Sequence, residues 1–274
     1  MGYGARVVAD SVAESGRRLV TMEVTFPRLV LAEFNTHRVF SRNSASSRAI
    51  PIKKQLVRIR EEPFVPATWG LNQAGMQAER EADEETAAAA RTAWLVARDR
   101  AVEQAEELLR LGIHKQLANR LLEPFMWHTV IVTATEWSNF FALRANPMAQ
   151  PEINQVATLM LDAYRGSTPV TIPAGGWHLP LLQPEERDGT FEHSEEARRI
   201  SAARCARVSY LTHDGTRDLE ADLGLYRRLV DGGHLSPLEH VATPEADGAW
   251  VGNFHGWRQL RKTIPNEQDF GLVS

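Results

Sequence analysis

Two stretches near the N-terminus, Ala5 to Val12 and Arg18 to Phe26, alternate apolar with polar residues, and Ser15-Gly16 lies between them. A period of two marks a strand with one buried face, and Ser-Gly is turn chemistry, so the two stretches read as paired strands. Pro27 then opens a short helix. Glu62 to Gly75, rich in Pro and Gly, reads as a long surface loop. Met76 to Leu111 is dominated by strong helix formers and stopped by Gly112. Helices over Lys115–Leu122, Glu136–Leu143 and Gln150–Tyr164 flank a β-rich run from Phe125 to Thr135. A last helix spans Asp218 to Val230, with Asp218 as cap and Gly232-Gly233 as stop. The fold class is α/β (α+β), with a mixed sheet and long helices. Ala87 to Ala90 form a small-residue stripe that suits either close packing against another helix or subunit, or an ordinary solvated helix.

The segment Thr36 to Arg48 concentrates cations, hydroxyls and amides. Arg38, Arg42 and Arg48 suit charge-assisted hydrogen bonds to phosphate, and Ser46 and Ser47 add short donors. The apolar run Phe26 to Phe34 would anchor this segment to a core. Taken alone, a solvated basic loop with turn and cap hydroxyls accounts for it equally well.

A second segment, Arg120 to Ile153, weights the anion reading. Thr36-His37-Arg38 is followed after seven residues by Ser46-Ser47-Arg48, and Leu143-Arg144 leads to Ala149-Gln150-Pro151-Glu152-Ile153. In both spacings the chain resembles the flavin-dependent thymidylate synthases, whose signature is Arg-His-Arg, seven residues, then Ser-x-Arg. The family's opening elements stand near the end here, as Ala206-Arg207-Val208-Ser209 and Gly233-His234-Leu235-Ser236-Pro237-Leu238-Glu239-His240. Arg261 to Asn266 repeats the spacing of Arg38 to Asn43. The chain is therefore read as a circularly permuted or rearranged member carrying two partial copies of one signature. Ser44 stands where the pattern has Glu; the second copy keeps Asn266-Glu267 but has Gln259-Leu260 for Arg-His and Asp269 for Ser. The expected organisation is residues 1–165 with the nucleotide-binding loop and central helices, a linker over 166–196, and a permuted flavin-binding segment over 197–274 that packs into the same domain. Both copies are expected to line one composite site.

The resemblance implies conversion of dUMP to dTMP, with methylenetetrahydrofolate as carbon donor, FAD as hydride carrier and NADPH as reductant. It implies nucleotide-binding roles for Ser46, Ser47, Arg48, Arg120 and Arg144, and catalytic roles for Arg144, Ser46 and His37. Arg144 would face the uracil and stabilise charge developing on its ring. For flavin it implies His37, Arg38, Asn139, Gln150, Ser209, His234, Ser236 and Glu239, with Arg261 and Glu267 from the second copy. Thr133, Thr135, Met148 and Glu33 depart from the family pattern. A homotetramer with shared active sites is also implied. The alternatives are flavin and folate chemistry on another pyrimidine nucleotide, such as hydroxymethylation of dCMP, a cysteine-dependent transferase, and a nucleotide-binding protein without catalysis.

At 274 residues the chain can bury a large core, and its formal charge of -4 argues against broad nucleic-acid binding. No stretch is long and apolar enough to span a bilayer, so no membrane partner is expected. The single cysteine, Cys205, fits a cytoplasmic location. It reads as a small half-buried residue, although Arg204 and Arg207 beside it could activate a thiol. Nine histidines show no His-Glu-x-x-His or Cys-containing spacing, so no metal site is expected. His128 reads as a core histidine, and Trp127 and Trp137 suit either the core or stacking on a ring.

Overall fold

The computed structural model describes residues 2–44, 46, 50–75, 77–187, 189–208, 218–265 and 267. The two alternating stretches form β1 (Gly4–Ala13) and β2 (Arg18–Pro27), paired antiparallel with a bulge between Val7 and Ala9. A short 3-10 turn (Arg28–Val30) and α1 (Leu31–Asn35) lead to β3 (Ser41–Ser44). β4 (Trp127–Ala134) lies between β3 and β2, antiparallel to both. β5 (Val170–Ile172) adds to β1 in parallel, which gives a mixed five-stranded sheet in the order β3-β4-β2-β1-β5.

β2 explains the layering. Val20, Met22, Val24 and Phe26 point to one face, where they pack with Val130, Val132 and Ala134 of β4, with Phe34 of α1 and with the apolar side of α6 (Pro151–Gly166): Ile153, Val156, Ala157 and Met160. On the opposite face Leu19 packs with Ala13, Ala242, Phe254 and Trp257, and Ile131 of β4 packs with Cys205 and Val208. Glu23, the strand partner of Ile131, lies on the same face and pairs with the exposed Arg6. Residues of the last third of the sequence thus cover this face at Leu19 and Ile131.

Four further helices surround this sheet. α2 (Ile52–Glu61) packs on α3 (Glu84–Arg110) and on α4 (Lys115–Ala118) with the 3-10 segment Asn119–Phe125. α3 starts later than the expected Met76, because Asp83 accepts from the Thr86 N–H and so fixes its first turn. Ala88 and Ala89 are exposed, so within the chain the stripe is a solvated face. The expected helix Lys115–Leu122 is α4 followed by a 3-10 segment that contains Pro124. α5 (Ser138–Arg144) precedes α6.

Two expectations need correction. The stretch 166–196, read as a linker, is partly core: Leu179 and Leu182 pack with Ile200, Tyr226 and Leu238. The sequence between Glu195 and Arg207, assigned no helix, forms α7 (Glu195–Arg207), capped by Ser194, whose hydroxyl accepts from the Ala197 N–H. α7 is buried nearly all round, from Ala197 through Ala206, so it lacks the one-sided periodicity by which a helix is read. α8 (Leu219–Asp231), capped by Asp218, packs against it. Two small two-stranded sheets follow: β6 (Ala242–Pro244) with β9 (Trp257–Gln259), and β7 (Trp250–Val251) with β8 (Phe254–His255). Among the described residues no helix is long and apolar enough to cross a membrane.

A buried ion cluster ties this half together. Arg204 of α7 donates to both Glu186 oxygens (2.5 and 2.7 Å) and to Asp222 of α8 (3.0 Å), and Arg207 donates to the other Asp222 oxygen (2.6 Å). Removing one member would leave carboxylates buried without their cation. Arg204→Ala is therefore expected to destabilise the protein by about 3–5 kcal/mol, read as a lowered urea midpoint.

Acid should act on the fold through its buried imidazoles. Burial pushes His128, His178 and His240 down to about 3. Between roughly pH 6.5 and 3 the unfolded chain binds protons that the folded chain refuses, so stability falls as pH falls through that window. Each of the three is expected to remove up to about 1.4 kcal/mol per pH unit. A urea midpoint that drops steeply from pH 6.5 to pH 5 would show it.

Candidate functional site

The signature segment is delivered by α1 and held on an aromatic bed. Phe34, Phe40 and Phe140 surround the buried His37, whose ring meets Phe140 edge-on at 4.9 Å. Trp137 lies in the same bed, 2% exposed and stacked on Phe141, which settles it as core. At the end of α1, one guanidinium nitrogen of Arg42 donates to the carbonyls of Phe34, Asn35 and His37 at 3.0–3.4 Å. The Phe34 and His37 carbonyls also accept from the His37 and Phe40 backbone N–H groups, and Arg42 adds a charged donor at this helix end.

His37 and Arg144 meet. The Arg144 Nε donates to His37 Nε2 at 3.1 Å, and its Nη2 reaches the Thr36 hydroxyl at 3.4 Å. Arg144 is the last residue of α5, and its carbonyl accepts from Asn154 of α6. Arginine has no lone pair to offer, so His37 must accept on Nε2 and carry its proton on Nδ1. Burial, then the Arg144 and Arg42 charges, lower His37 to about 4 and keep it neutral.

The two partial signatures lie side by side. The Ser41 hydroxyl accepts from the side-chain amides of Asn253 and Gln259, both at 3.0 Å. Asn253 also donates to the Val39 carbonyl, and Gln259 donates to Asn253 at 2.8 Å. On the next residue pair, Asn43 donates to the Cys205 carbonyl at 2.7 Å and Ser236 reaches Asn43 at 3.5 Å. Ser236 begins the 3-10 turn Ser236–His240, and Glu239 on that turn accepts from Arg261 at 2.7 Å. Arg261 also donates to Glu267 at 2.9 Å, as does Lys262 at 2.7 Å. Burial opposes the Glu267 charge, but the Lys262 and Arg261 bonds outweigh it and hold the carboxyl below the usual range. Burial lowers Arg42, Glu239 partly restores it, and Arg38 lowers it further, which records how close these charges stand.

Of the expected site residues, His37, Arg38, Arg144, His234, Ser236, Glu239, Arg261 and Glu267 fall on these segments. Arg38, His234 and Ser236 are exposed along the rim, and Ser46 is half-buried beyond β3. Asn139 is exposed on the first turn of α5, and Gln150 donates to the buried Glu152. Ser47, Arg48 and Ser209, with Asn266 and Asp269, lie outside the described residues. Arg120 stands apart from the Ser41 clamp. It pairs with Glu123 at 2.8 Å, and Glu123 pairs with Arg28, which donates to His128. β4 places this group beside Pro27↔Trp127, whereas Ser41 faces Thr133. β3 runs from the Thr133 end toward the Trp127 end, reaching Val130 at Ser44, and Asn119, next to Arg120, donates to the Ile50 carbonyl, so Arg120 lies at the end to which β3 leads.

Cys205 is fully buried, and burial raises its thiol, so it is no nucleophile. Sequence reasoning missed the Asn253 and Gln259 clamp, because an amide partner of a serine has no spacing of its own. It also missed the cap role of Arg42. Among the described residues no group of three or more His, Cys, Asp or Glu side chains could hold a metal ion.

The chain has structural similarity to a UMP/dUMP methylase, PolB, from Streptomyces cacaoi. With the form bound to 5-Br UMP the identity is 19%, covering 59% of this chain and 88% of that one, at a TM-score of 0.47. With the form bound to 5-Br dUMP the identity is 17%, covering 59% and 89%, at 0.47. No curated protein matches the sequence. Residues 11–170, more than half of the chain, match the family model described as Thymidylate synthase complementing protein. The chain belongs to that family, whose chemistry is nucleotide methylation.

Proposed function

We propose that the protein reductively methylates dUMP to dTMP, with methylenetetrahydrofolate as carbon donor, FAD as hydride carrier and NADPH as reductant. The observation that carries this reading is the convergence of both partial signatures on one cation-lined surface, together with the His37–Arg144 pair at its edge.

The residue roles proposed with this reading begin at the His37–Arg144 pair. His37, neutral and accepting, holds the Arg144 guanidinium by its Nε and leaves Nη1 for a ligand. A guanidinium so fixed is suited to the ring of a pyrimidine, where it would stabilise negative charge as C5 becomes nucleophilic. Ser46, Ser47 and Arg48 are assigned to the nucleotide phosphate and sugar. Arg38, Arg42, Arg261 and Lys262 face Glu239 and Glu267, an excess of cations that fits an anionic diphosphate such as that of FAD. His37, Asn139, Gln150, Ser209, His234 and Ser236 complete the proposed flavin contacts. When bound, FAD supplies the hydride step, while the chain orients the rings and excludes water. Holding two reactants in register contributes about 7–11 kcal/mol in well-oriented systems.

The nucleotide role proposed for Arg120 is supported by its place in the same subunit: β3 runs from Ser41↔Thr133 to Ser44↔Val130, toward the end of β4 where His128, Arg28, Glu123 and Arg120 are linked. The proposed assembly is a homotetramer with shared sites.

Incubation of purified protein with FAD, NADPH, methylenetetrahydrofolate and dUMP, followed by mass spectrometry of the nucleotide, should show dTMP. A hydroxymethyl product, or reaction with dCMP only, would replace this reading. Arg144→Ala is expected to reduce turnover on the order of 100-fold, the effect of losing one transition-state donor. Arg120→Ala is expected to weaken dUMP binding on the order of tenfold, read as a raised dUMP KM.

A further inference from the structure

Ser11, Thr21, Thr133, His178 and His240 are all buried, and their side chains join end to end on the face of the sheet covered by the C-terminal residues. The links are Ser11 Oγ to His178 Nδ1 at 2.8 Å, His178 Nε2 to Thr21 Oγ1 at 2.7 Å, Thr21 Oγ1 to Thr133 Oγ1 at 2.7 Å, and Thr133 Oγ1 to His240 Nδ1 at 2.7 Å. Five separate pieces of chain contribute: β1, β2, β4, the turn after β5, and the 3-10 turn that carries Ser236 and Glu239. His178 is further tied to the start of β6 by its backbone N–H, which donates to the Ala242 carbonyl at 2.7 Å.

Proton counting restricts this chain severely. Each hydroxyl has one proton, and Thr21 and Thr133 each stand between two partners, so each donates to one side and accepts from the other. Burial keeps both imidazoles neutral, each with a single N–H. All the bonds must therefore run in one direction, and both histidines must carry the proton on the same ring nitrogen. At the far end, the buried His240 Nε2 has no partner among the described residues. A lone pair left unmatched there is less costly than an orphaned N–H. The chain accordingly runs from His240 Nδ1–H to Thr133, to Thr21, to His178 Nε2, and from His178 Nδ1–H to Ser11.

We propose that this one-way chain positions the Ser236–His240 turn, so that Thr133 and His240 are positioning residues that set Ser236 against Asn43 and Glu239 against Arg261. Neither touches ligand. They act by fixing the backbone from which the rim residues project, and the ligand part of the inference rests on the flavin reading above.

The test uses the full chain with ring-labelled histidine, and the variants Thr133→Val, which removes the hydroxyl at nearly the same size, and Thr133→Ser, which keeps it. In the unaltered protein, nitrogen NMR should find Nδ1–H on both His178 and His240; opposite tautomers would overturn the chain. Thr133→Val should uncouple the two tautomers and raise amide exchange across 235–241 on the order of tenfold, with α3 unchanged. It should also raise the FAD dissociation constant on the order of tenfold, the size of one net hydrogen bond. Thr133→Ser should recover all three readouts. Unchanged exchange at the turn, or a rise spread evenly over the protein, would refute the positioning role. Should the valine variant fail to fold, the tautomers of the unaltered and serine proteins decide. Absence of FAD binding in the unaltered protein would defeat the flavin reading alone, since tautomers and exchange need no ligand.

Discussion

Burial of β2 on both faces is the constraint from which the rest of the structure follows. One face is closed by α6 and by Phe34 of α1. The other is closed by residues between 178 and 260, through the apolar packing of Leu19, Ala242, Phe254 and Trp257 and through the hydroxyl and imidazole groups at Thr21, Thr133, His178 and His240. A sheet covered on only one side would leave Leu19 of β2 and Ile131 of β4 in water, at a loss of about 2 kcal/mol each. Covering them brings the second partial signature beside the first, so the cation-lined surface is a by-product of closing the core.

Polar groups at that closure are unusually concentrated, and they give the seam its register. An apolar seam tolerates small slides, because hydrophobic contact has no direction. The amide clamp of Asn253 and Gln259 on Ser41 does not, since hydrogen bonds weaken steeply with angle and distance. Arg42 does for the end of α1 what the clamp does for β3: it fixes where a short element stops.

Much of this was legible in the sequence, and what was not has physical causes. The hairpin was plain because Arg18 to Phe26 alternates and Ser15-Gly16 supplies the turn, which leaves Ala5 to Val12 as its partner despite the bulge after Val7. The signature was plain because its residues are close together in the chain. α7 was hidden because a helix buried on all sides loses the polar stripe that marks the period. The 166–196 stretch was misread because Pro and Gly signal turns whether a segment lies on the surface or threads the core, as Leu179 and Leu182 do. Arg120 was assigned by position in a motif, whereas its ion pair with Glu123, and through it with Arg28, depends on packing that no motif encodes. The contacts of Ser41 with residues more than 200 positions away were beyond any local pattern.

That last separation has a consequence for biosynthesis. Contacts so distant in sequence form late, because the intervening chain must be ordered before they close. As the protein leaves the ribosome, β1 to β4 and α6 can assemble while the second face of β2 is still bare. Leu19 and Ile131 are then open to solvent, and neither clamp nor ion pairs exist around Ser41. The surface acquires its Glu239, Arg261 and Glu267 only once those residues emerge, so a chain stalled before them is both sticky and without a finished site.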